Sequence, residues 1–158
     1  MGSQAFVLKP AQQARPLNVV GMQIRVLAAN AQTQGYGITL QEGAEGAGPP
    51  PHSHGWDEAF YVLRGMVDVH CGAVTTTCET GTLIHVPKGT LHSFTFGRGG
   101  GAMLEITGEG ASAAPFFEAI DEQVAIAIQH GQPETHDRAQ HHGDQHRADD
   151  HRRRILQQ

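Results

Sequence analysis

Residues 52–58 read His52-Ser53-His54-Gly55-Trp56-Asp57-Glu58. A further histidine, His92, follows later in the chain. Side chains two residues apart on a β-strand project from the same face, so His52 and His54 point together into one interior. The even offset of Glu58 keeps its carboxylate on that face if the strand resumes regularly. Three imidazoles and one carboxylate suit one divalent transition metal (Fe, Mn, Ni, Co, Cu or Zn) and leave positions open for water or substrate.

Glycines and a proline frame both parts of this donor set. The first part reads Gly46-x5-His52-x-His54-x3-Glu58-x6-Gly65. The second part reads Gly81-x5-Pro87-x-Gly89-x2-His92. The proline and glycine just before His92 supply a tight turn that aims its imidazole from a separate strand. Two such spaced signatures in this order seldom arise by chance.

The chain between residues 19 and 106 consists of short β-like runs separated by Gly, Pro and Asn. Residues 20–26, 36–40 and 67–71 alternate apolar and polar side chains, which is typical of strands with one buried face. Residues 60–63 and 83–86 are apolar on both faces and are predicted to be central, buried strands. The glycine-rich stretch 97–101 is expected to form a flexible hairpin. The pattern predicts an all-β sandwich or barrel.

The periodicity changes after Gly110. Ser112 can cap a helix, Pro115 fits a first turn, and an apolar stripe then continues to Gly131, so residues 112–131 are predicted to form an amphipathic helix. Residues 1–111 form the β-domain with its N-terminal strands. Residues 132–158 are polar and rich in histidine and cannot form a core of their own, so we expect a solvated tail.

Composition excludes several classes of partner. The 158 residues suit a single domain, and the net charge of -5, with Lys9 and Lys88 as the only lysines, leaves no basic face for nucleic acid. No apolar run is long enough to span a bilayer, and the first residues do not follow the basic-then-apolar pattern of a signal peptide, so we expect a cytoplasmic protein with no membrane partner. Cys71 and Cys78 lie too far apart for a disulfide if residues 72–73 form a hairpin turn, and both are expected to be buried thiols.

These residues resemble the cupin superfamily over roughly residues 20–107. The first motif matches at every defining position, whereas the second has Phe96 where the family usually has Asn. The short segment between the motifs, residues 66–80, is similar to that of small single-domain cupins, and the sequence around His52 looks most like the quercetinase-type group. The resemblance implies a cupin double-stranded β-helix, a jelly-roll-like barrel, with a C-terminal α-helix. It also implies a homodimer, and the metal ligands His52, His54, Glu58 and His92.

The resemblance favours a metal-dependent dioxygenase that acts on a small, apolar enol, diketone or flavonol-like substrate. Glu58 has two interpretations that stay open, as a fixed ligand or as the catalytic base. The expected substrate pocket has an apolar wall, although core packing explains the same side chains equally well. Its residues are Trp56, Phe60, Val62, Phe94 and Phe96. A non-catalytic metal-containing binding or sensor module, and a metal-dependent isomerase or lyase, are the alternative functions.

Other chemistry-bearing residues have simpler interpretations. Asp57 has an odd offset from the ligands and is expected to be solvated or to stabilise a turn. His70 alternates with inward Val69 and Cys71, so its side chain should face outward, and His85 lies on a strand expected to be buried on both sides. Neither histidine is a predicted ligand.

Overall fold

Two long antiparallel strands, β4 (Glu58–Cys71) and β7 (His92–Thr107), organise the protein. The computed structural model describes residues 2–130. The remaining elements in this range are a 3-10 helix (Pro10–Gln12), β1 (Leu17–Val19), β2 (Met22–Ala28), α1 (Asn30–Thr33), β3 (Gly37–Gly43), β5 (Val74–Glu79), β6 (Leu83–Val86) and α2 (Ala113–His130). The predicted all-β fold with a C-terminal helix is confirmed.

The strands form two layers because β4 and β7 each contribute to both. Along the hydrogen-bonded order β1-β2-β3-β7-β4-β5, the C-terminal half of β7 pairs with β3, and β6 pairs with the N-terminal half of β4. The C-terminal half of β4 pairs with β5 and with the N-terminal half of β7. Register shifts near Val62 and Gly65 mark the point where the strands bend from one layer to the other.

Glycine makes the bend possible. Gly65 has a φ of +84°, and a Cβ there would lie 2.3 Å from the carbonyl oxygen of Gly100. On the facing strand, Gly100 also has a positive φ, of +75°. The prediction of a hairpin at residues 97–101 is wrong, because this stretch remains within β7, which pairs with β4 on both sides of the bulge.

The interior is filled by alternate residues of the facing strands. Phe60 and Val62 on β4 and Phe94 and Phe96 on β7 are all buried, as their even spacing predicts. The predicted hairpin between β4 and β5 is also confirmed, because Cys71 pairs with Val74 and Cys78 with Val67 in the ladder. Both cysteines are free thiols.

The prediction that residues 83–86 form a strand buried on both faces is wrong. Within the described residues, β6 pairs only with β4, and Leu83 is 65% exposed. Residues 60–63 are central in hydrogen bonding, yet Tyr61 and Leu63 on their outer face are each 41% exposed. Apolar side chains on both faces therefore do not mean burial on both faces here, because no element of residues 2–130 covers this outer surface.

Helix α2 is tied to the N-terminal part of the barrel through one carboxylate. Asp121 accepts hydrogen bonds from the guanidinium of Arg15 and from the backbone N–H of Asn18, at 2.5 and 2.7 Å. Phe117 and Ile120 pack against the core from the same helix. The predicted polar tail at residues 132–158 lies outside the described residues. No helix in residues 2–130 is long and apolar enough to cross a membrane.

Candidate metal centre

His52 and His92 are placed opposite each other by the backbone. They form an isolated antiparallel bridge in which each backbone N–H donates to the other residue's carbonyl, both at 2.9 Å. His92 is the first residue of β7, whereas His52 lies in an extended segment outside the named strands. Because directly opposed residues project to the same side of a sheet, their imidazoles share one interior face.

A second set of backbone contacts fixes the segment that carries His54. The N–H of Gly89 donates to the carbonyl oxygen of His54 at 2.8 Å. The N–H of Lys88 donates to the carboxylate of Asp57 at 3.0 Å. The Pro-Lys-Gly turn before His92 is therefore bound directly to the segment before Glu58. Asp57 stabilises this turn, in agreement with the interpretation of its odd offset.

The tautomer of each histidine follows from its hydrogen-bond partner. In His52, His54 and His92 the Nδ1 atom lies 2.9, 2.9 and 2.8 Å from the carbonyl oxygens of Pro50, Trp56 and Thr90, respectively. A carbonyl oxygen only accepts, so each Nδ1 carries the hydrogen. In its neutral form, a ring bonded in this way presents the lone pair of Nε2, which is the arrangement found in metal-binding histidines.

The three rings lie close together, and two of them contact Glu58. One nitrogen from each lies within 4.8 Å of the other two. The carboxylate oxygen Oε2 of Glu58 is 3.1 Å from Nε2 of both His54 and His92. Lone pairs on a carboxylate and on two imidazoles repel one another unless a cation, either a proton or a metal ion, lies among them.

One buried atom tests whether a metal ion fits this site. Nε2 of His92 is buried and makes no hydrogen bond of acceptable geometry, although it lies only 3.1 Å from Glu58. A buried polar atom without a partner is costly, and a metal ion would satisfy it. His52, His54, His92 and Glu58 therefore fit the donor set of a divalent transition metal.

The electrostatics of the centre follow from burial and from the close carboxylate. Burial lowers the pKa of His52. Burial would also lower the pKa of His92, but its contacts with the carboxylate of Glu58 and the carbonyl of Thr90 outweigh burial and raise it. Burial would raise the pKa of Glu58, yet its contacts, chiefly with His92, hold that pKa at about 2. Glu58 is therefore an ionised carboxylate in the barrel.

Trp56 covers one face of the site. Its indole ring stacks on the imidazole of His54 with a centroid separation of 4.4 Å and an interplanar angle of 5°. The backbone of the same residue accepts the Nδ1 hydrogen of His54. Trp56 thus fixes both the plane and the tautomer of one ligand candidate, a more specific role than the pocket residue predicted from sequence.

Comparisons with known proteins agree on the fold. The family described as Cupin domain matches residues 39–104. The chain contains a cupin domain.

Solved structures extend the similarity over most of residues 2–130. An RmlC-like cupin from Shewanella frigidimarina superposes with a TM-score of 0.62 at 17% identity, covering 72% of this chain and 98% of that chain. KdgF from Halomonas sp. has a TM-score of 0.63 at 16% identity, with 70% and 98% covered. The polyketide cyclase RemF from Streptomyces resistomycificus has a TM-score of 0.52 at 23% identity, with 60% and 70% covered. No curated protein matches the chain by sequence.

A second acidic residue, Glu105, lies inside the cupin barrel and was missed from the sequence. It is 3% exposed, accepts a hydrogen bond from Oγ1 of Thr39 at 2.5 Å, and contacts the carboxyl of Glu58. Burial, followed by the contact with Glu58, raises the pKa of Glu105 well above its usual value. Its even spacing from buried Met103 was the signal that could have placed it inward.

Four of the five predicted pocket residues lie in the hydrophobic core of the cupin barrel, namely Phe60, Val62, Phe94 and Phe96. The ring centroids of Phe60 and Phe94 are 5.5 Å apart, and those of Phe94 and Phe96 are 5.6 Å apart. Phe96 is 1% exposed and lies against Gly43, where a Cβ would come within 2.5 Å of its ring. At this position, where the family usually has Asn, the aromatic ring packs between the layers. Contact of these rings with substrate stays a prediction.

Proposed function

We propose that this cupin is a metal-dependent dioxygenase that acts on a small, largely apolar enol, diketone or flavonol-like compound. The observation that carries the proposal is that one nitrogen from each of three histidines lies within 4.8 Å of the other two, with the Glu58 carboxylate 3.1 Å from Nε2 of His54 and His92. Each Nδ1 hydrogen bond orients its imidazole in advance of binding. Orientation by such outer hydrogen bonds is the usual support of a functional metal site.

The proposed substrate class follows from the donor set and its surroundings. A divalent metal ion held by His52, His54, His92 and Glu58 would act as a Lewis acid toward an enolate oxygen. In the alternative role of Glu58, its carboxylate leaves the ligand set and accepts the enol proton instead. Phe60 and Phe94 would exclude water from the apolar part of the substrate.

The first experiment tests metal binding. Elemental analysis of the full chain should find one equivalent of metal more in the wild type than in a His52→Ala/His54→Ala variant. The matched control is His70→Ala/His85→Ala, which removes two exposed histidines outside the site. Equal metal content in the wild type and the His52/His54 variant would refute the proposed site.

The only tryptophan of the chain gives an independent local measurement. Because Trp56 stacks on His54, copper(II) or nickel(II) bound at the site should quench its fluorescence. The histidines at residues 132–158 can bind metal without contributing another tryptophan signal. Loss of quenching in the His52/His54 variant, with quenching retained in the control, is the expected result.

The second experiment tests the reaction. The protein, reconstituted separately with Fe, Mn, Ni, Co and Cu, should consume oxygen with at least one flavonol, diketone or phenolic compound. The His52/His54 variant with the same metal is the control for free metal. If no metal gives turnover above that control, the proposed dioxygenase activity is refuted.

A binding or sensor function without turnover is the second candidate. The observation that favours it is the apolar character of the strands that carry the site, because Phe60 follows Glu58 and Phe94 follows His92 on the inward face. Ligands that raise the melting temperature and are recovered chemically unchanged would support this candidate. An isomerase or lyase would instead convert its substrate without oxygen, so anaerobic assays separate it from the dioxygenase.

We also propose a cytoplasmic homodimer. The outer face of the β4–β6 pair carries exposed Tyr61, Leu63 and Leu83, and the backbones of Tyr61 and Leu83 are paired. A contiguous apolar surface of this kind is typical of an interface. The free thiols of Cys71 and Cys78 suit a reducing compartment. A Leu83→Glu variant should shift the sedimentation mass toward a monomer, and an unchanged mass would place any interface elsewhere.

A further inference from the structure

Glu105 is a buried acid that the proposed ligand set does not use. It lies on β7, where its backbone pairs with Phe60, and the next inward residue of β7, Thr107, pairs with Glu58. Glu105 is therefore one ladder step from Glu58 on the neighbouring strand, a diagonal arrangement in which long side chains touch. The two buried carboxyl groups contact each other, and a proton on either one allows a hydrogen bond between them.

A short polar chain holds Glu105 from the opposite side. Oγ1 of Thr39 donates to Oε2 of Glu105 at 2.5 Å, and Nε2 of Gln41 donates to Oγ1 of Thr39 at 3.5 Å. All three residues are at most 3% exposed. Gln41 also contacts the Glu105 carboxyl, so two residues of β3 hold Glu105 while its carboxyl group contacts that of Glu58.

Burial of the Glu105 carboxyl group lowers the stability of the fold, so its position calls for a functional reason. A carboxyl group in an apolar interior costs more free energy than an aliphatic side chain of similar size. The surrounding inward residues, including Val62, Phe60 and Met103, would pack an aliphatic side chain readily. What an aliphatic side chain could not provide is a hydrogen bond to Glu58.

We propose that Glu105 is a positioning residue that fixes the Glu58 carboxylate toward His54 and His92 through a hydrogen bond, and that Thr39 orients Glu105 for this contact. Glu105 acts on a metal ion only through Glu58. The inference rests on the proposed metal site. Outer hydrogen bonds to ligating carboxylates commonly affect metal affinity by about 10-fold to 100-fold.

The test measures the nickel(II) affinity of the full chain by the fluorescence of Trp56. Glu105→Met, which removes the hydrogen bond but keeps the volume, should weaken binding by about 10-fold. Glu105→Gln should bind within about 3-fold of the wild type, because its amide can accept from Thr39 and donate to Glu58. Thr39→Val should weaken binding, whereas the matched control Thr107→Val should not, because the hydroxyl of Thr107 donates to Asn30 instead.

A double-mutant cycle separates positioning from a general packing effect. In a Glu58→Ala background, Glu105→Met should cause no further loss of affinity, since the group through which it acts has been removed. An equal loss in both backgrounds, or a loss in Glu105→Gln as large as that in Glu105→Met, would overturn the inference. If Glu105→Met does not fold, Glu105→Gln and the Thr39/Thr107 pair still decide it.

Failure of the proposed function gives a different result. A wild type whose Trp56 fluorescence does not respond to nickel(II) would refute the metal site, and the inference with it. A wild type that responds normally, with unchanged affinity in Glu105→Met, would refute only the role of Glu105.

Discussion

Replacing Phe94 by alanine should lower the free energy of unfolding by about 4 kcal/mol, within the range for buried phenylalanines. Phe94 is 4% exposed, and its ring contacts both Phe60 and Phe96 edge-on. The loss combines the transfer of the ring, the cavity that remains, and two aromatic contacts of about 0.5–1.5 kcal/mol each. Phe94→Leu keeps most of the volume and should lose about 1.5 kcal/mol.

Urea unfolding at equilibrium measures this difference. With a slope of about 2 kcal/mol per molar urea, the alanine variant should unfold about 2 M earlier than the wild type. Phe116→Ala is the matched control, because Phe116 is 59% exposed and its loss should change stability by less than about 0.5 kcal/mol.

The outcome distinguishes the two roles considered for the aromatic wall. A loss near 4 kcal/mol places Phe94 in a packed core. If Phe94→Ala loses less than about 1 kcal/mol, the ring does not fill the interior as described and instead borders an open cavity. That result would refute the packing argument and strengthen the prediction that Phe94 contacts substrate.

Three further predictions concern stability. Val20 has a φ of +49° in the two-residue turn between β1 and β2. Val20→Asn should therefore raise the free energy of unfolding by about 0.5–1 kcal/mol, measured with urea. A lower free energy of unfolding would contradict strain at this turn. Gly65→Ala should lower the free energy of unfolding by about 1–3 kcal/mol because of the positive φ at this position. Gly55→Ala should lower it by less, because a Cβ there meets open space. Equal losses in the two variants would argue that Gly65 is not required for the bend between the layers. Contacts with Arg15 and Asn18 lower the pKa of Asp121 from 3.8 to about 2, so its stabilising contribution is present above pH 3.8 and lost as the pH falls toward 2. Asp121→Asn should therefore flatten the dependence of unfolding free energy on pH in that window, and an unchanged slope would show that this pair does not govern it.

Predictions based on local spacing succeeded where one strand alone decides orientation. The alternation of Phe60 with Val62, and of Phe94 with Phe96, places these side chains inward whatever strand lies next to them. The same rule failed for residues 83–86 and 97–101. Whether Leu83 is covered depends on a neighbouring layer, and whether the glycines turn or continue depends on pairing with β4.

The sequence by itself determined the all-β class, the inward faces of the strands, and the identity of the three histidines and Glu58 as candidate ligands. It could do so because period-two alternation and turn residues act within a few positions of the chain. Only the tertiary structure decided that the three Nε2 atoms converge, because the carbonyls that set their tautomers depend on how the backbone turns. Only the ladder between β4 and β7 brought Glu105 beside Glu58. Those contacts join residues far apart in sequence, and strand register, which no local pattern specifies, determines which of them meet.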